Sequence, residues 1–161
     1  MKRPSPAFSL TELYGQPGHL LRRAHQIAAS IFRDELDTVT PVQHAILLTL
    51  ARHPGVDQVS LAGLVAIDTS TAASVAARLE EKNLVVRNVD PANRRQRALY
   101  LTEQGQAVLQ ESIPGIMGLH ERLFEGFTEE EEAQFMVLLK KLVHLNNYQS
   151  RAPLAVRSDD D

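Results

Sequence analysis

The sequence predicts a mainly α-helical domain carrying one small β-hairpin. Three observations lead there. Apolar residues recur at three- and four-residue spacing along most of the chain, caps and breakers punctuate those runs, and two short β-rich stretches, LVVRNV and RALYL, flank one polar turn. At 161 residues with 43% hydrophobic content, the chain suffices for one core and not for two full domains.

Residues 1–12 are polar with two prolines and are expected to form a flexible arm. From Pro17 to about Leu36, the spacing of Leu20, Leu21, Ala24, Ile27, Ala28, Ile31 and Phe32 predicts an amphipathic helix. Thr40 can cap a second helix with Pro41 at its first position, and His53-Pro54-Gly55 stops it. A polar stretch, VDQVS, then precedes LAGLVAI, a segment of about two turns that Ser60 can cap. Asp68 or Thr69 caps the next helix, which runs through Ala72, Val75, Ala76 and Leu79 until Asn83 ends it in a left-handed conformation. Its other face, Thr69, Ser70, Ala73, Ser74 and Ala77, is small and polar, so it can approach a groove closely.

The hairpin follows, its turn opened by Asp90-Pro91, with Asn93 tolerating unusual dihedrals. Thr102 caps one long helix, EQGQAVLQESIPGIMGLHERLF, kinked or briefly interrupted at Pro114-Gly115. Thr128 to Glu131 is a capping box opening a last helix through Phe135, Leu138, Leu139, Leu142 and Leu145. A short helix, a turn and a second helix with a small-residue face make a helix-turn-helix, and the hairpin behind it makes a wing. The expected architecture is a winged helix-turn-helix over about 41–101, flanked by dimerisation helices over about 13–36 and 102–149. A single domain thus spans 13–149, and 150–161 is expected to be a flexible tail.

The net charge of −3 argues against a nucleic-acid partner until its distribution is considered. Between Arg78 and Arg97 stand six basic residues against three acidic ones, and Arg94, Arg95 and Arg97 crowd the hairpin turn. Without cysteine there is neither disulfide nor thiolate site. The six histidines form no i, i+3 or i, i+4 pair and no HExxH, so no metal is expected. Neither GxSxG, GxGxxG nor a phosphate-binding GK[ST] occurs, which argues against an enzyme and against a bound cofactor. No apolar stretch approaches bilayer length and no signal segment is visible, so a cytoplasmic protein without a membrane partner is expected.

Residues 60–105, SLAGLVAIDTSTAASVAARLEEKNLVVRNVDPANRRQRALYLTEQG, resemble the MarR family of bacterial transcription regulators. Asp90-Pro91-x-x-Arg94-Arg95 followed by Leu101-Thr102-x-x-Gly105 carries the resemblance most specifically, and the order of helices extends it over about 13–149. What it implies is a homodimer, joined mainly through its first and last two helices, on a pseudo-palindromic double-stranded operator. Small ligands weaken DNA binding in many members. PGHLLRRAHQ and QHAILLTLARHPGVDQVSLAGLVAID are similar to members that control catabolism of aromatic acids, some of which sense aromatic coenzyme A thioesters. The sequence departs from the family pattern at Asn93, where Asp is common, and at Ser74, where Arg is frequent.

The hydroxyls of Thr69, Ser70, Thr71 and Ser74 are expected to donate to phosphates or base edges, and threonine methyls to touch thymine methyls. Arg78 is expected at backbone phosphate or in an ion pair. Arg94 is assigned to the minor groove, Arg95 and Arg97 to its support at phosphate, and Asp90 to ordering the loop. On the first helix, about 100° per residue sets His19, Arg23, Gln26 and Ser30 along one edge of the apolar stripe, with Arg22 pointing away. That edge suits an aromatic acid whose carboxylate meets Arg23, with His44 and Met117 completing the pocket. The bland alternatives are a solvated turn for the arginines, caps and surface positions for the hydroxyls, and an interface salt bridge for Arg23. The expected function is a dimeric repressor of an aromatic-compound catabolic operon, released from its operator by an aromatic acid or its coenzyme A thioester. The rivals are a ligand-independent DNA-binding regulator and a winged-helix module for protein contact.

Overall fold

The computed structural model describes residues 12–89 and 97–155, with only the backbone of Arg97. A 3-10 turn, Leu13–Gly15, leads into α1 (Pro17–Glu35) and α2 (Pro41–Arg52). Strand β1 (Val56–Asp57), α3 (Gln58–Val65), α4 (Thr69–Glu81), β2 (Val85–Val89) and β3 (Arg97–Leu101) follow. Helices α5 (Glu103–Glu111), α6 (Ile113–Leu123) and α7 (Glu129–Asn146) complete the order, with a last 3-10 turn at Asn147–Gln149. This is the mainly helical, winged helix-turn-helix architecture that the spacing predicts.

Local chemistry explains the boundaries. At α2, Thr40 Oγ1 accepts from Gln43 N and Gln43 Oε1 accepts from Thr40 N, a reciprocal capping box ahead of Pro41. Thr128 and Glu131 repeat that exchange at α7. Asn83 ends α4 at φ 58°, the left-handed conformation that asparagine tolerates. Ile46, Leu47, Leu50, Leu61, Leu79 and Leu99 are almost wholly buried in one core, where α2, α3 and α4 meet the sheet. Burying each such side chain contributes about 1.5–3 kcal/mol, so the winged-helix unit holds most of the apolar stabilisation within the chain.

Two expectations are corrected. The VDQVS stretch holds a third strand: β1 lies antiparallel to β3, with Val56 opposite Leu99, giving the sheet order β1-β3-β2. A two-residue strand lacks the alternation that betrays longer ones. Helix α3 starts two residues before Ser60, because Asp57 Oδ1 takes the amides of Val59 and Ser60 at 2.9 and 3.0 Å and the Ser60 hydroxyl is spent on Asp57 Oδ2. The brief interruption expected at Pro114-Gly115 is present and falls at Ser112, whose buried hydroxyl donates to Leu109 O while Pro114 occupies the first turn of α6. Within the segment expected as a tail, Leu154 is hydrogen-bonded to Asn147 and Ala155 to Gly63.

Candidate nucleic-acid interface and effector groove

Helices α3 and α4 meet at 105°. Ala66 makes the turn between them at φ 55°. Ala72, Ala76 and Leu79 anchor α4 in the core with no exposed surface. The opposite face therefore stands outward: Thr69, Ser70, Ser74, Ala77 and Arg78 are exposed and Ala73 is partly so. Small buried alanines bring the helix close to the core, and small outer residues leave its backbone near whatever docks there.

At the N-terminus of α4 three hydrogen bonds converge on one carboxylate. Asp68 Oδ1 accepts from Thr71 N at 2.8 Å, Thr71 Oγ1 donates to Oδ2 at 2.6 Å, and Ser70 Oγ donates to Oδ1. The hydrogen bond from Ser70, then those from the Thr71 side chain and backbone, hold the Asp68 carboxyl well below the usual carboxylate range. A hydroxyl has one proton. Those of Ser70 and Thr71 are directed at Asp68 within the chain. Thr69 and Ser74 make no side-chain hydrogen bond among the described residues and keep theirs.

Arg78 has no ion pair among the described residues. It lines a groove of about 600 Å³ with Lys82, Arg33, Asp37 and the start of α2. The carboxylate on the inner turn, Glu80, is taken instead by Arg87, Nε to Oε2 at 2.8 Å, while Arg87 Nη1 donates to Gln58 Oε1 at 3.3 Å. Arg87 thus ties β2 to both helices of the helix-turn-helix, a structural role unreadable from its place in an LVVRNV run.

The wing stem is a regular antiparallel pair, running from Val85 opposite Leu101 to Val89 opposite Arg97. Its base is fixed by Thr102, whose Oγ1 donates to Asn83 O at 2.6 Å and accepts from Gly105 N at 3.0 Å. Gly105 packs directly on the Leu84 carbonyl, where a Cβ would collide. Asp90, Asn93, Arg94 and Arg95 lie outside the described residues, as does the side chain of Arg97.

On α1, Arg23, Gln26 and Ser30 line one open groove of about 690 Å³ together with His25, Ile27, Ala29, Arg33 and Pro41. Arg23 Nη1 donates to Gln26 Oε1 at 3.2 Å, so the two present a cation and an amide side by side. Three of the four residues placed on that edge are thereby brought together. The other members of the expected pocket are not. His19 Nδ1 lies 3.2 Å from Arg22 Nη2, and its ring stacks edge-on with Tyr14 at 5.3 Å, so Arg22 turns toward His19 instead of away. His44 is half-buried edge-on to Phe32, and burial pushes its imidazole pKa down. Met117 on α6 is exposed and absent from the groove lining.

A model of the MarR family matches residues 39–96, which runs from the cap of α2 to the wing. The transcriptional regulator HosA of Escherichia coli O111:H- is 32% identical over 126 residues, 78% of this chain and 93% of that protein. The chain belongs to the MarR family. Like its relatives it is a transcriptional regulator by family. The HTH-type transcriptional repressor NicR of Pseudomonas putida is 32% identical over 130 residues, 80% of this chain and 82% of NicR. The structure of BpsR from Bordetella bronchiseptica, described for regulation of its DNA binding by 6-hydroxynicotinic acid, matches with a TM-score of 0.77 at 31% identity, covering 84% of this chain and 96% of BpsR.

Among the described residues, no single helix is long and apolar enough to cross a membrane. Helices α3 and α4 reach that apolarity only when joined across their 105° bend. No group of three or more His, Asp or Glu is placed to hold a metal ion among the described residues.

Proposed function

We propose that the protein is a homodimeric repressor of an aromatic-compound catabolic operon, released from a pseudo-palindromic operator by an aromatic acid or its coenzyme A thioester. The observation that carries the DNA-binding reading is the outer face of α4, small, polar and exposed on a helix whose other side is locked into the core. Two such helices in a symmetric dimer fit successive major grooves, with the wings beside them.

Dimerisation is supported by the apolar surface of the flanking helices. Leu20, Leu21 and Ile27 on α1, Met117 on α6 and Leu138, Leu142 and Leu145 on α7 are all exposed within one chain. Exposed apolar side chains repeated along the helices that flank the winged unit suit a protein interface. The effector reading is supported by the α1 groove, where Arg23 meets a carboxylate and Ile27 and Ala29 meet a ring. It is also supported by BpsR, whose regulating ligand, 6-hydroxynicotinic acid, is itself a small aromatic carboxylate.

The test starts from duplexes that the protein selects out of a random library. Selected sites are expected to be pseudo-palindromes with half-sites about one helical turn apart. Added 6-hydroxynicotinate, benzoate or their coenzyme A thioesters are then expected to dissociate the complex. Unselective binding defeats the operator reading, and a complex indifferent to every acid and thioester in the panel defeats the effector reading alone.

A further inference from the structure

Helix α7 buries none of its residues within the chain, yet its far end is tied down. After the Asn147–Gln149 turn the chain reverses, and the Asn147 side chain grips it. Nδ2 donates to Leu154 O at 3.0 Å, and Leu154 N donates to Oδ1 at 2.8 Å. One amide thus engages both polar groups of one residue, as a neighbouring strand does. The Leu154 side chain sits with Leu139, Val143 and His144 of α7 around a hollow of about 360 Å³. One residue on, Ala155 N donates to Gly63 O at 2.8 Å.

The anchor lies at the turn of the helix-turn-helix. Gly63 belongs to α3, and its carbonyl also accepts from Ala66 N at 3.3 Å, the residue whose left-handed conformation ends α3 and redirects the chain into α4. A Cβ on Gly63 would stand 3.1 Å from that of Ala155, a tight contact, so the missing side chain lets the tail lie close.

We propose that residues 147–155 are a latch joining the last helix to the turn that aims α4, so that the position of α7 sets the orientation of the recognition helix. The linkage runs from α7 through Asn147, Leu154 and Ala155 to Gly63 and Ala66, and bypasses α5 and the wing. Its few hydrogen bonds can open without unfolding the core, which is what a coupling element requires. The effect on DNA rests on the reading of α4 given above, whereas the latch itself is testable without DNA.

The experiment compares amide hydrogen exchange in the full chain, a chain ending after Ser150, and the full chain carrying Asn147→Ala. Residues 62–67 are expected to exchange at least roughly tenfold faster in both variants, while core amides such as those of Ile46 and Leu79 keep their rates. Equal exchange at 62–67 in all three proteins overturns the latch. Should the shortened chain fail to fold, Asn147→Ala decides. On duplexes selected by the wild-type protein, both variants are expected to bind at least about fivefold more weakly. Faster exchange with operator affinity unchanged overturns the control of α4. If the wild-type protein selects no duplex, the DNA-binding reading fails and the exchange result alone decides the latch.

Discussion

Thr102 Oγ1 donates to Asn83 O at 2.6 Å, a hydrogen bond that closes the wing by joining the residue after β3 to the residue that ends α4. The same oxygen caps α5 through Gly105 N. The Leu-Thr-x-x-Gly spacing therefore has a mechanical reason: threonine fastens the loop and glycine lets α5 lie on the Leu84 carbonyl. Thr102→Ala loses a cap of about 1 kcal/mol and a hydrogen bond of about 0.5–1.5 kcal/mol, so its urea unfolding free energy should fall by about 2 kcal/mol, with Thr102→Ser recovering most of it. Gly105→Ala gains about 1 kcal/mol in helix propensity but forces the helix off Leu84, an overpacking cost of about 1–3 kcal/mol, and should be net destabilising.

Elements with a strong period or a side-chain cap were legible from sequence, among them α1, the cap at Thr40, the capping box at Thr128, and the αL end at Asn83. What was not legible depends on contacts across the chain. Strand β1 exists because Val56 finds Leu99, and the end of the tail is placed because Ala155 finds Gly63. Helical spacing put Arg23, Gln26 and Ser30 on one groove, since all three lie on one helix. It did not hold for His19, which lies edge-on to Tyr14, and it says nothing of His44 and Met117, which lie on other helices and do not line the groove.

Asp68 should give the protein an acid-sensitive element. Its carboxyl is held low in the folded state by Ser70 and Thr71, so the stability it adds is complete above the unfolded value near 4 and is lost as pH falls below it. Asp68→Asn should therefore be less stable than the wild type at neutral pH, and the gap in urea midpoint should close toward about pH 2. A gap that stays constant over that range would assign the difference to something other than ionisation.

Arg94 is the residue proposed for the minor groove. It falls in the segment between Val89 and Arg97, the last pair of the wing stem. Each phosphate-bound cation contributes about 0.9 to the slope of log K against log salt. Arg94→Ala should weaken binding to a selected duplex and, if the charge neutralises phosphate in addition to reading groove width, flatten that slope by about 0.9. Unchanged affinity and slope would remove Arg94 from the interface.

Arg23 separates a sensor from a mere dimer contact. If Arg23 receives an aromatic carboxylate, Arg23→Ala removes a charge-assisted hydrogen bond of about 1.5–3 kcal/mol, so the effector concentration that dissociates the operator complex should rise about 10- to 150-fold. Operator affinity without effector should stay within about twofold, because Arg23 lies on α1 and not on α4, the helix proposed to read DNA. Arg23→Lys should recover only part of the response, since an ammonium cannot meet a carboxylate with a planar fork. An interface salt bridge makes the opposite prediction: Arg23→Ala would raise the dimer dissociation constant, seen by dilution in sedimentation, and leave the effector response of the intact dimer untouched.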